Sequence, residues 1–144
     1  PWVLKAKAEY GANQVLFCPN GDVQETGASN FILINGNEII TKPLTDEFLH
    51  GVTRDSVLTV AKDLGYTVTE RNFTVDELKA AVENGAEAIL TGTAAVISSV
   101  TSFVIDGEEI EVKSQERGYA IRKAITDIQY GLTEDKHGWL VEVC

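Results

Sequence analysis

Methionine is absent from the chain, and cysteine, histidine and basic residues are scarce; each shortage narrows what the protein can be. The two cysteines, Cys18 and Cys144, are too few and too far apart for a disulfide framework. Cys18, closing the apolar segment Gln14-Val15-Leu16-Phe17-Cys18, reads as a small core residue, and a reducing cytoplasm is the expected setting. The two histidines, His50 and His137, have no cysteine, histidine or carboxylate at ligand spacing, so no metal site is expected. Only 12 lysines and arginines face 22 acidic residues, a net charge of -10. Binding to nucleic acid or to an anionic membrane releases counterions from basic residues, so neither partner is expected. No apolar run approaches membrane-span length. Pro1-Trp2-Val3 has neither an initiator methionine nor a signal-peptide layout, and the N-terminus reads as a cut.

What remains is the composition of one globular domain: 144 residues can bury one sizeable core. An opening helix over about Trp2 to Tyr10 should stop at Gly11, followed by a strand Val15 to Cys18 and a turn Pro19-Asn20-Gly21-Asp22. The apolar strand Phe31-Ile32-Leu33-Ile34 turns back at Asn35-Gly36 onto Ile39-Ile40. Thr67 to Arg71 alternates as a strand does. Thr74-Val75-Asp76-Glu77 has the form of a capping box opening a helix to about Val82, with Gly85 beyond its end. A second hairpin turns at Asp106-Gly107, and a helix from about Glu116 ends at Gly131. Strands alternating with helices and interrupted by hairpins predict an α/β domain with a mixed sheet.

Three short segments carry the chemistry. In Gly51-Val52-Thr53-Arg54-Asp55 a tight loop feeds a helix whose apolar residues Val57, Leu58, Val60, Ala61 and Leu64 recur at helical spacing, with Gly65 past its end. Its first turn offers free backbone N–H groups, a Thr53 hydroxyl that can cap it, and the positive end of the dipole, while Gly51 lets a ligand approach the backbone. A phosphate suits that setting, although Asp55 takes up part of the same dipole, and a plainly capped helix has the same local pattern. The second segment is Gln24-Glu25-Thr26-Gly27-Ala28-Ser29-Asn30, just before the first apolar strand. The third, Thr91-Gly92-Thr93-Ala94-Ala95, closes the apolar run Ala88-Ile89-Leu90. Taken singly, these are a turn acid and a set of small residues suited to close backbone packing.

In this order and spacing the three segments resemble the E-x-G-x-x-N, G-[IV]-T-R and G-T-A motifs of the class IV, branched-chain type of pyridoxal-phosphate aminotransferase. Ile125-Thr126-Asp127-Ile128-Gln129-Tyr130-Gly131 resembles the terminal helix of the subgroup that includes the animal enzymes. The resemblance implies that residues 1–144 are the C-terminal, cofactor-binding large domain, with the mixed sheet curled into the fold type IV pseudo-barrel and flanked by helices. It implies pyridoxal 5'-phosphate as cofactor, with Glu25 facing its ring nitrogen, Val52, Thr53 and Thr93 holding its phosphate, and Gly51 and Gly92 in the loops around it. Ala28, Ala94 and Ala95 would lie at the substrate. The implied reaction moves the amino group of leucine, isoleucine or valine to 2-oxoglutarate, in a cytoplasmic enzyme that is a homodimer at full length.

Departures from the pattern matter as well. The lysine that carries the cofactor should fall about ten residues upstream of Pro1 by family spacing, and Lys5, Lys7 and Lys42 lack the flanking Asn-Tyr signature. The chain is therefore expected to be inactive alone. His50 stands where many relatives have proline, Ala28 replaces a hydroxyl residue, and Ala95 and Ser98 occupy the places of a Cys-x-x-Cys, which excludes a thiol switch there. D-amino-acid transaminases and aminodeoxychorismate lyases share these motifs, and a non-catalytic phosphate-binding fragment is a third reading; the terminal helix favours the branched-chain enzyme.

Overall fold

The uninterrupted apolar run Phe31-Ile32-Leu33-Ile34 lies at the centre of a sheet, and all four side chains are buried because the sheet is covered on both faces. The computed structural model describes residues 2–45, 51–92 and 96–143. Strand β1 (Asn30–Asn35) pairs antiparallel with β2 (Glu38–Thr41) on one side and with β4 (Glu87–Gly92) on the other. β3 (Thr67–Glu70) runs parallel to β2, and β5 (Val96–Ser99) antiparallel to β4, giving the order β3-β2-β1-β4-β5. Helix α2 (Val52–Asp63) is the crossover between the parallel pair β2 and β3.

Alternation along β1 divides the core in two. Ile32 and Ile34 pack with Val57, Val60 and Ala61 of α2 and with Ile121, Ile125 and Ile128 of α4 (Glu116–Gln129). Phe31 and Leu33 pack on the opposite face with Phe73, with Leu78 and Val82 of α3 (Val75–Glu83), and with Ile110 of the hairpin β6 (Ser102–Ile105) to β7 (Glu108–Glu111). Helix α1 (Trp2–Tyr10) buries none of its side chains. No helix among the described residues is long and apolar enough to cross a membrane.

The hairpin turns and the start of α3 fall where the sequence places them. Gly36 (φ +60°) and the pair Asp106 (φ +52°) and Gly107 (φ +78°) take the left-handed conformations that two-residue hairpin loops require. The Thr74 side chain accepts from the Glu77 backbone N–H, capping α3. The Glu77 carboxylate turns instead to Arg71, accepting from Nη1 and Nη2 of its guanidinium.

That pair has a pH consequence. The hydrogen bonds from Arg71 hold the Glu77 carboxyl below its ordinary value. A carboxylate depressed in the folded state stabilises above the unfolded pKa and loses that contribution as pH falls through the folded one. Both groups are more than a third exposed, so Arg71→Met should cost less than about 1 kcal/mol at neutral pH. Urea titrations should show that cost vanishing as Glu77 is protonated in acid; a cost that persists there would assign it to packing rather than charge.

Two expectations are corrected. Val15–Cys18 forms no strand: a single bridge, Leu16 to Thr26, stands in its place. Pro19, which lacks an N–H, opens a tight 3-10 turn that ends the pairing after Phe17 exchanges hydrogen bonds with Gln24 and Glu25. The sheet is mixed, as expected, but it does not close into a barrel. Among the described residues β3 and β5 are its two edges and do not pair with each other, and β6 and β7 form a separate two-stranded sheet, so the five-stranded sheet stays open.

Candidate active site

Antiparallel pairing sets the start of β1 beside the ends of β2 and β4, and this topology brings the three motifs together. Asn30, the first residue of β1, lies directly opposite Thr91 near the end of β4. The segment leading into β1 and the N-terminus of α2 close over the same end of the sheet. Residues 25–30, 51–54 and 91–92 line one cleft with about 510 Å³ of space between its walls, open mouth included. Thr93, Ala94 and Ala95, expected at the same site, and His50 lie outside the described residues.

Glu25 is half-buried on the cleft wall. Its backbone carbonyl accepts from the Phe17 N–H at 3.0 Å, and its Oε2 accepts from the Asn30 side-chain amide at 3.3 Å. The following turn is held by Thr26, whose Oγ1 accepts from the N–H groups of Ala28 and Ser29 and donates to the Ser29 carbonyl. Ala28 is exposed at its tip. Gly92 packs against this turn: an added Cβ would stand 3.3 Å from Ser29 Oγ and 3.4 Å from the Ala28 carbonyl.

On the facing wall the helix cap differs from expectation. Gly51, extended at φ -70°, is the N-cap, with no side-chain cap, and Thr53 lies inside the first turn. The N-cap residue itself therefore brings no side chain to compete for the N–H groups of that turn. Gly51 is needed for space rather than conformation, since a Cβ there would overlap Asn30 Oδ1. Asp55 does not draw on the helix dipole alone: Arg54 Nη1 donates to its carboxylate at 3.1 Å.

Arg54 is the residue that the motif carried but sequence reasoning left without a role. It is 2% exposed, and its Nη2 donates to Glu70 Oε1 at 2.5 Å and to the Lys42 carbonyl at 3.1 Å. One guanidinium thus ties the start of α2 to the end of β3 and to the residue after β2. The signal was present, because Arg54 occupies the same helical stripe as Val57, Leu58 and Ala61. Lys42 pairs with Asp22, and Lys5 with Glu9 on exposed α1.

The donor set suits a small anion on one wall and a cationic or protonated ring on the other. Uncapped helical N–H groups and a hydroxyl face a carboxylate held in place by a neutral amide. Thr91 Oγ1, buried in the floor between them, has no hydrogen-bond partner among the described residues.

The Amino-transferase class IV family model matches residues 2–103. The chain belongs to the class IV aminotransferases. It is 42% identical over 123 residues to a probable branched-chain-amino-acid aminotransferase of Streptomyces coelicolor, an alignment covering 82% of this chain but 34% of that protein. The branched-chain aminotransferase of Thermoproteus uzoniensis, solved with norvaline, superposes with a TM-score of 0.80 at 30% identity, over 96% of this chain and 44% of that one. That of Thermobaculum terrenum, in its PLP form, gives 0.79 at 29% identity, over 96% and 44%. A class IV aminotransferase is thus matched along nearly all of this chain, which spans only about a third to two-fifths of its curated relatives.

Proposed function

We propose that these residues are the C-terminal, cofactor-binding part of an enzyme that moves the amino group between branched-chain L-amino acids and 2-oxoglutarate. The supporting observation is the convergence of Glu25, Val52, Thr53 and Gly92 on one cleft from segments far apart in the chain. Pyridoxal 5'-phosphate, when bound, supplies a ring that accepts the electron pair left by loss of the α-proton.

The protein's own groups divide the remaining work. Glu25 keeps a proton on the ring nitrogen by offering it a fixed carboxylate. The Val52 and Thr53 amides and the Thr53 hydroxyl hold the phosphate, with Thr93 as a second hydroxyl donor, and Gly51 and Gly92 keep side chains out of the cradle. Ala28, Ala94 and Ala95 border the amino-acid substrate. On this reading the cofactor-bearing lysine lies outside residues 1–144, and the chain alone is expected to have no transaminase activity. At full length the reading is of a cytoplasmic homodimer.

The phosphate half of the proposal can be tested on the chain alone. Each hydrogen bond to a charged oxygen contributes about 1.5–3 kcal/mol net, and immobilising the ligand offsets much of that. Millimolar binding of inorganic phosphate is expected. In an NMR titration the amides of Val52, Thr53, Thr93 and Ala94 should move first. If those stay still while another face responds, the phosphate cradle is wrongly placed.

A further inference from the structure

One side chain touches both walls of the cleft. Asn30 is 8% exposed at the head of β1; its Nδ2 donates to Glu25 Oε2, and its Oδ1 fills the space that a Cβ on Gly51 would occupy. The carboxylate on one wall and the N-cap of the anion helix on the other are therefore in register through a single buried amide. An amide can serve both because it is neutral and carries a donor and an acceptor on opposite arms of one plane. Aspartate in its place would set a second carboxylate against Glu25. Alanine would leave both contacts empty.

We propose that Asn30 is a positioning residue that fixes the Glu25 carboxylate relative to the start of α2, and that position 51 must be glycine so that Asn30 can stay where it is. The proposal rests on the reading of Glu25 as the carboxylate that faces the cofactor ring. A Cβ at position 51 displaces Asn30 Oδ1, and because the same amide holds Glu25, the disturbance reaches the opposite wall. Gly51→Ala should thus behave as an Asn30 variant although it changes no polar group.

Two measurements on the full-length protein test this. The first is a melting cycle without cofactor, comparing Gly51→Ala, Asn30→Ala and the double variant. Gly51→Ala should lower the midpoint by about 3 °C or more in the wild-type background, and by much less once Asn30 is truncated and the overlap is gone. Equal losses in both backgrounds would overturn the coupling. The second is the pH profile of turnover after pyridoxal phosphate is added. Asn30→Ala should lower kcat about tenfold or more while cofactor retention changes little, and Gly51→Ala should lower kcat at least as far. Asn30→Asp should move the profile toward acid, because the introduced carboxyl can donate to Glu25 as the amide does when it is protonated and cannot when it is ionised. An Asn30→Asp profile that keeps the wild-type pH dependence would leave Asn30 a merely structural residue. Should the wild type take up no pyridoxal phosphate, the reading of Glu25 fails and the melting cycle alone judges the coupling; should Asn30 variants not fold, Gly51→Ala tests it from the other wall.

Discussion

Glu25→Gln in the full-length enzyme should cut turnover by about 10²- to 10³-fold, the scale seen when one preorganised electrostatic partner of a reacting group is removed, while cofactor retention stays within about tenfold. The two effects separate if, as proposed, the two walls of the cleft do separate work. In the proposed reading phosphate is held by the first turn of α2, where the N-cap residue Gly51 has no side chain to cap the N–H groups. Glu25 lies across the cleft, where in that reading it contributes charge rather than grip. Glutamine keeps the shape, and its side-chain oxygen can still accept from Asn30, so the wall should fold as before. It cannot hold a proton on a ring nitrogen, because a neutral amide has no charge to pair with the cation. Steady-state kinetics beside equilibrium uptake of pyridoxal phosphate distinguish the two. An unchanged kcat would remove Glu25 from the site; equal loss of kcat and of cofactor would make it a binding residue.

The parts of this fold that sequence reasoning located are those with local causes. Gly36, Asp106 and Gly107 take positive φ, and Thr74 has an N–H within reach three residues on; such signals need no knowledge of the rest of the chain. Failures began where the deciding contact is distant. Val15–Cys18 has strand composition, but its partners are the backbone groups of Gln24 and Glu25, which pin Glu25 in the cleft instead of extending a ladder. Thr53 looked like a cap because threonine commonly is one, yet the chain places Gly51 there, where Asn30 from β1 leaves no room for a side chain. The candidate site was legible only as three motifs, and Glu25, Val52, Thr53 and Gly92 from them line one cleft. What joins them was not, because Arg54 with Glu70 and Asn30 with Gly51 are pairings between elements that only the topology brings together.

The largest stability effect should come from a residue outside the cleft, Glu87, at the start of β4. It stands opposite Ile34, so its side chain shares the face covered by α4, and that side chain is 3% exposed. The carboxylate accepts from the backbone N–H groups of Arg117 at 3.1 Å and Gly118 at 3.0 Å, capping a helix thirty residues further along the chain. Gln115, at the N-cap position itself, makes no side-chain cap. The approach is close because residue 118 is glycine: a Cβ there would lie 2.8 Å from Ser99 Oγ and 2.9 Å from Ile89 Cγ2. Glu87→Ala would strand the buried N–H of Gly118, take the acceptor from the N–H of the more exposed Arg117 and remove a negative charge from the positive end of the dipole, a loss of about 2–4 kcal/mol. For a chain of this size that lowers the melting midpoint by on the order of 5–15 °C. Glu87→Gln, which keeps an acceptor but not the charge, should fall between wild type and Ala. Since Ile121, Ile125 and Ile128 of α4 pack in one cluster with Val57, Val60 and Ala61 of α2, loosening α4 also removes the backing of α2. Urea unfolding of the three proteins checks the order, and an alanine variant as stable as wild type would show that α4 is held by its apolar face alone.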